Sequence, residues 1–174
     1  QNLPVTVIGM GAGVIYSTLG GTHHAMEDIA VAGAIPNMTI LAPCDPEEMH
    51  LATKWCATKS QGPVYMRLGK AGEPNLTEKA LDSFEIGKIR YIKKGTDIAL
   101  MSYGITVAKA CEISNKLEKQ GKSTSIISCH TIKPLDKKGI ESVLKSHKEV
   151  VVVEEHVPHG GLGSRVKEVA WDSN

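Results

Sequence analysis

Thr39-Ile40-Leu41-Ala42-Pro43-Cys44-Asp45-Pro46-Glu47-Glu48 runs from an apolar strand directly into the start of a helix. Pro46 suits the first helical turn, where its missing N–H costs nothing. Asp45 before it is placed to cap the helix, and Glu47 and Glu48 sit at the positive end of the dipole. The spacing predicts a strand over 39–42 and a helix over 46–59. The same alternation extends to both sides: a strand over 5–9, a helix over 25–33, and a strand over 64–68. Short apolar runs alternating with helical patterns mark an α/β fold, a parallel sheet with helices on its faces. A stretch rich in Gly, Pro, Asn, Lys and Glu over 69–83 places a boundary there.

A second series begins at Phe84 with an extended entry up to Ile92, either a strand pair or irregular. It continues with a strand over 97–102, an amphipathic helix over 106–119 stopped by Gly121, and a strand over 123–128. A helix over 137–146, a strand over 149–154 and a last helix over 164–172 complete it. The run Val150-Val151-Val152-Val153 is β-branched throughout and predicts a strand covered on both faces. The first series supplies three strands and so would leave two open sheet edges, which invites missing structure or an obligate partner. Gln1 is followed almost at once by a strand, so the chain reads as a piece of a longer polypeptide or of its ordered part.

Composition narrows the function classes. The 174 residues are 41% apolar and 22% charged, typical of a globular chain with a packed core. A net charge of +1 and 4% aromatic residues argue against a nucleic-acid surface. No run spans a membrane and no export signal opens the chain. Cys44, Cys56, Cys111 and Cys129 are dispersed as buried reduced thiols would be, so the expectation is a cytoplasmic protein.

Chemistry concentrates at Leu19-Gly20-Gly21-Thr22-His23-His24-Ala25-Met26-Glu27-Asp28, where two adjacent imidazoles sit on a glycine turn before a helix. Thr22 reads as the N-cap, which puts His23 and His24 at the helix mouth. The plainer alternative has one His capping the turn and the other solvated. Gly9, Gly11 and Gly13 suggest a dinucleotide fingerprint, but the third glycine comes one position early and no acidic ribose ligand follows at the proper distance. The set His23, His24, His50, Cys44 and Cys56 matches no metal-ligand spacing. Glu154, Glu155, His156 and His159 form a second cluster, read as a structural loop or an interdomain contact.

Several motifs together resemble the transketolase family of thiamine diphosphate enzymes. In the first series these are Gly21-Thr22-His23-His24, Ile35-Pro36-Asn37, Ala42-Pro43-Cys44-Asp45 and Gly62-Pro63-Val64-Tyr65-Met66-Arg67-Leu68-Gly69. In the second they are Gly95-Thr96-Asp97-Ile98-Ala99-Leu100, Ser102-Tyr103-Gly104, Ile132-Lys133-Pro134-Leu135-Asp136 and Val153-Glu154-Glu155-His156, followed by Gly160-Gly161-Leu162-Gly163-Ser164.

The resemblance implies part of a pyrimidine-binding domain over 1–83 and a transketolase C-terminal domain over 84–174. It implies transfer of a two-carbon ketol unit between sugar phosphates, with thiamine diphosphate as electron sink and magnesium as its metal. His23 then takes the catalytic, substrate-contacting place, His24 a neighbouring substrate contact, and Arg67 the grip on a sugar phosphate, a planar fork suited to that anion. The plain alternative for Arg67 is a surface cation closing a strand.

Three departures follow. Leu19 stands where transketolases place a carboxylate for a donor hydroxyl, Gly11 where they place a second phosphate-contacting His, and Gly20-Gly21 replaces Gly-Pro. The glutamate and the aromatic that serve the aminopyrimidine ring, and the diphosphate–metal ligands, have no counterpart in this chain. The expected partner is therefore a missing N-terminal portion or a separate subunit, in a homodimer or heterotetramer, with the chain inactive alone. A 1-deoxy-D-xylulose-5-phosphate synthase, a 2-oxoacid dehydrogenase beta chain and a noncatalytic assembly module are the alternatives.

Overall fold

The computed structural model describes residues 2–173. The first sheet contains β1 (Thr6–Met10), β2 (Thr39–Leu41) and β3 (Val64–Leu68), with α1 (Asp28–Ala34) and α2 (Pro46–Thr58) between them. The second contains β4 (Arg90–Lys93), β5 (Ile98–Ser102), β6 (Thr124–Ser128) and β8 (Glu149–Val153). Helices α3 (Thr106–Glu118), α4 (Lys137–Ser146) and α5 (Leu162–Asp172) accompany it. The chain is mixed α/β with two mostly parallel sheets, as the alternation predicts.

The short strand β7 (Thr131–Lys133) leaves the second series and pairs antiparallel with β2, giving the first sheet the order β1-β3-β2-β7. Nothing in three residues of mixed polarity signals a strand, because their pairing partner lies about ninety positions earlier in the chain. One of the two edges expected to be open is thereby covered. The other, β1, pairs among the described residues only with β3, and Val5 just before it and Val7, Ile8 and Met10 within it are between 52% and 68% exposed.

The second sheet has the order β4-β6-β5-β8, so its covered centre is β5 and β6, buried at every residue. The valine run lies on the edge strand β8 instead, with Val151 exposed, which corrects the expectation of burial on both faces. β-branching favours a strand but does not assign it a place in the sheet. Of the extended entry over 84–92, only Arg90 onward forms a strand, antiparallel to β6.

Local chemistry fixes the helix starts. Asp45 is extended, and its carboxylate accepts from the Glu48 N–H at 2.8 Å, with Pro46 in the first turn. The other carboxylate oxygen accepts from the Leu76 and Thr77 N–H groups and the Thr77 hydroxyl, so the same residue pins the connecting segment. Burial opposes ionisation of Asp45, yet these hydrogen bonds hold its carboxyl below the usual range. Asp136 caps α4 in the same way through the Gly139 N–H.

One core cluster runs through both sheets. Ile29, Ile40 and Ala42 of the first series are packed with Met101, Tyr103, Ile127, Leu162 and Val166 of the second. Beside it lies buried Glu48, whose Oε2 accepts from the Cys44 N–H and the Ser128 hydroxyl while Arg90 stands 3.5 Å from Oε1. His130, 1% exposed, stacks on Phe84 with ring centroids 4.1 Å apart.

Burial, reinforced by the Arg90 cation, lowers His130 to about 3. The unfolded chain takes up a proton near pH 6.5 that the folded one refuses. Stability present above that pH is therefore lost as the pH falls toward 3. Thermal melts at pH 7 and pH 4.5 should show a larger drop in Tm for the native chain than for His130→Gln; equal drops would remove His130 as the source.

Candidate functional site

The histidine turn lies between β1 and α1. Gly20, at φ +79, opens a single 3-10 turn over Gly21–His23, closed by hydrogen bonds from the His23 N–H to the Gly20 carbonyl and from the His24 N–H to the Gly21 carbonyl. Thr22 is not the cap of the following helix: its hydroxyl meets His23 Nδ1 at 3.0 Å. The helix begins only at Asp28, with Glu27 as an N-cap that makes no side-chain bond. Ala25 is drawn into an antiparallel bridge with Gly13, and the Met26 carbonyl accepts from the Val157 N–H, so neither residue can enter a helix. The imidazoles consequently stand outside the helix mouth. His23 is exposed; His24 is half-buried, with Nε2 enclosed and lacking a hydrogen-bond partner.

Arg67 ends up far from the role expected of it. It is 2% exposed in β3, and each of its three nitrogens donates at least one hydrogen bond. Nε donates to Asp28 at 3.0 Å, one terminal nitrogen to Glu155 Oε1 at 3.2 Å, and the other to the Ala25 and Glu155 carbonyls at 3.3 Å each. The guanidinium also lies 5.4 Å from the Tyr103 ring centroid, and Asp28 accepts the Tyr65 hydroxyl at 2.8 Å. Burial and the neighbouring Asp28 push the Tyr65 phenol well above its ordinary range, so it remains a donor. A buried guanidinium already held by two carboxylates and two carbonyls would have to give up these partners and be uncovered to grip a phosphate.

The remaining sequence candidates are placed as follows. Leu19 is exposed beside the turn. Gly11 is buried at φ +82, and a Cβ there would lie 2.4 Å from the Tyr16 ring, so the position has no room for a histidine side chain. No α-helix follows β1 until Asp28, which removes the structural context a dinucleotide fingerprint needs.

Glu154 accepts from the Leu162 and Gly163 N–H groups and the Tyr103 hydroxyl, His156 Nδ1 meets the Val157 carbonyl, and Glu155 pairs with Arg67. Glu154 and Glu155 are thus spent on holding the chain together, whereas His156 Nε2 is enclosed without a partner among the described residues and His159 is exposed. Among the described residues, no three His, Cys, Asp or Glu side chains converge as a metal site, and no helix is long and apolar enough to cross a membrane.

A cavity of about 210 Å³ opens at the carboxyl ends of β1 and β3, lined by residues that include Met10, Pro43, Cys44, Leu68, Lys70 and Ile105. Ligands of open parallel sheets bind at that edge. Lys70 is exposed at its rim, and its ammonium lies 5.7 Å from the Tyr16 ring centroid. A basic residue just beyond a parallel strand is a readable signal for this edge, although the sequence motif drew attention to Arg67 inside the strand. Burial pushes the Cys44 thiol far up, so it serves as apolar lining rather than as a nucleophile.

Residues 1–73 match the family described as the transketolase pyrimidine binding domain, and residues 87–173 the transketolase C-terminal domain. The chain is 34% identical over 164 residues to an apulose-4-phosphate transketolase subunit of Phocaeicola vulgatus, covering 94% of itself and 52% of that protein. It is 36% identical over 169 residues to a 1-deoxy-D-xylulose-5-phosphate synthase of Clostridium acetobutylicum, covering 97% of itself and 27% of that protein. A solved split-gene transketolase, an inactive beta4 tetramer, superposes with a TM-score of 0.86 at 33% identity, over 98% of this chain and 54% of that one. The chain thus spans about half the length of the Phocaeicola relative and about a quarter of the synthase.

If Arg67 braces the fold, Arg67→Met strands two carboxylates and should cost about 3–5 kcal/mol in urea unfolding. A loss below about 1 kcal/mol would remove Arg67 as a brace of the fold.

Proposed function

This chain belongs to the transketolase family, and from that premise we propose that it is the substrate-facing part of a thiamine diphosphate-dependent transferase. The reaction is movement of a two-carbon ketol unit between sugar phosphates. The observation that carries this reading is the histidine turn: an exposed His23 beside a half-buried His24 whose enclosed Nε2 has no partner among the described residues. An enclosed imidazole nitrogen left unpaired is costly, and a bound substrate or a complementary chain would satisfy it. His23 exchanges a proton with a substrate oxygen, and His24 orients the substrate beside it. The 1-deoxy-D-xylulose-5-phosphate synthase reading stays open because relatives of that name cover nearly the whole chain; product analysis separates the two.

The phosphate contact passes from Arg67 to Lys70. Lys70 is the exposed cation on the rim of the carboxyl-edge cavity, whereas the Arg67 fork is spent within the protein.

The cofactor supplies the electron sink when bound, and the family depends on it. No three His, Cys, Asp or Glu side chains converge among the described residues to hold its divalent magnesium and, through it, its diphosphate. We therefore assign those ligands to a complementary portion or a separate subunit. The free edge of β1, apolar on both faces, supports such a complement, because an open apolar strand is otherwise an aggregation hazard. The solved split-gene relative, an inactive beta4 tetramer, supports inactivity of the chain alone.

Calorimetric titration of the isolated chain with thiamine diphosphate and magnesium should show no binding; saturable binding would overturn the assignment of the ligands elsewhere. In the assembled enzyme, His23→Ala should lower kcat by about 10²-fold while cofactor affinity holds. Lys70→Ala should raise KM about tenfold or more for phosphorylated substrates alone. Parallel loss of cofactor affinity in the first variant, or equal effects on unphosphorylated substrates in the second, would remove the respective roles.

A further inference from the structure

The residue that follows the histidine pair is held by two partners that the other half of the molecule holds in turn. Ala25 exchanges both backbone hydrogen bonds with Gly13, at 2.9 and 3.1 Å, and its carbonyl also accepts from Arg67 at 3.3 Å. Both of these partners are in turn set by Glu155, which follows β8 in the second series. Glu155 Oε1 accepts from Arg67 at 3.2 Å, and Oε2 accepts from the Val14 N–H at 3.1 Å, one residue past Gly13. The fit at Gly13 is close: its φ is +58, and a Cβ there would lie 1.9 Å from the Glu155 carboxyl carbon. Glycine is thus required at that position both for its backbone conformation and to admit the carboxylate. Met26 is fixed from the same loop, through the Val157 N–H.

We propose that Glu155 is a positioning residue for the histidine turn, through which the second sheet's domain sets where His23 and His24 stand. The carboxylate does this by accepting from two donors at once, the Arg67 guanidinium on one oxygen and the Val14 N–H on the other. Only a carboxylate can occupy that place, since it has acceptors at both ends. A glutamine presents an oxygen at one end and an NH2 donor at the other, so either Arg67 or Val14 then faces a donor. Glu154, next in the chain, has a different task in capping α5, which leaves Glu155 as the side chain of that pair that reaches the turn.

The test uses the ring 1H–13C signals of the histidines in the full chain. In Glu155→Gln the His23 and His24 signals should shift or split, while those of His50, His130 and His147, which lie on other elements, hold. Removal of an exposed carboxylate in Glu168→Gln should move none of them. If Glu155→Gln does not fold, Glu155→Asp decides, because it keeps the charge beside Arg67 but withdraws by one methylene from Val14; displaced His23 and His24 signals are again expected. Unmoved His23 and His24 signals in a folded variant, or movement of all five histidines together, would overturn the proposal.

A second arm rests on the transferase reading above. In the assembled enzyme, Glu155→Gln should lower kcat about tenfold with cofactor affinity unchanged; a kcat equal to that of the native enzyme would count against the proposal. A native assembly without transferase activity would remove that reading and leave the ring-signal result to decide the role of Glu155.

Discussion

The buried guanidinium of Arg67 is the constraint around which the rest of the molecule is arranged. A cation enclosed in β3 must be matched, and it is matched from two directions: by Asp28 at the start of α1 and by Glu155 beyond β8. Such a pair adds little net stability over an apolar filling, but losing one member is expensive, so it dictates geometry more than it adds strength. It forces the loop after β8 against the first sheet, and with that loop come the Val157 contact to Met26 and the close approach of Gly160 to Ala30. Arg90 repeats the device on the other flank, joining β4 to Glu47 and Glu48 of α2. The two sheets therefore share one core rather than resting as separate bodies.

The histidine turn is secured from below by Ala25 and Gly13 but is open above, with His23 exposed and His24 Nε2 unpaired. The cavity at the carboxyl ends of β1 and β3 is likewise bordered by a strand whose outer edge is unpaired. Both unfinished features lie at β1 or in the turn that follows it.

How far the sequence could be read depended on whether the deciding interaction was local. The α2 start at Asp45-Pro46 and the α4 start at Asp136 follow from caps within three residues, and α4 was located to the residue. The helix expected from Ala25 begins three residues later because Ala25 and Met26 are held by Gly13 and Val157, one of them more than a hundred positions away. β7 was invisible for the same reason, and the valines of β8 carried a propensity without an address in the sheet. At the site, the motif locates the turn, but it points Arg67 at a ligand because nothing around Arg67 in the chain shows that Asp28 and Glu155 enclose it.

The sequence by itself determined the α/β class, the family, the capped helices and the place of the histidine turn, because propensity, periodicity and short motifs act over a few residues. Only the tertiary structure decided that Arg67 is a brace, that Lys70 is the exposed cation at the carboxyl edge, and that one edge of the first sheet is covered while β1 stays open. These depend on which distant groups share a dehydrated space. Charge pairing and burial there are properties of three-dimensional neighbours rather than of chain order.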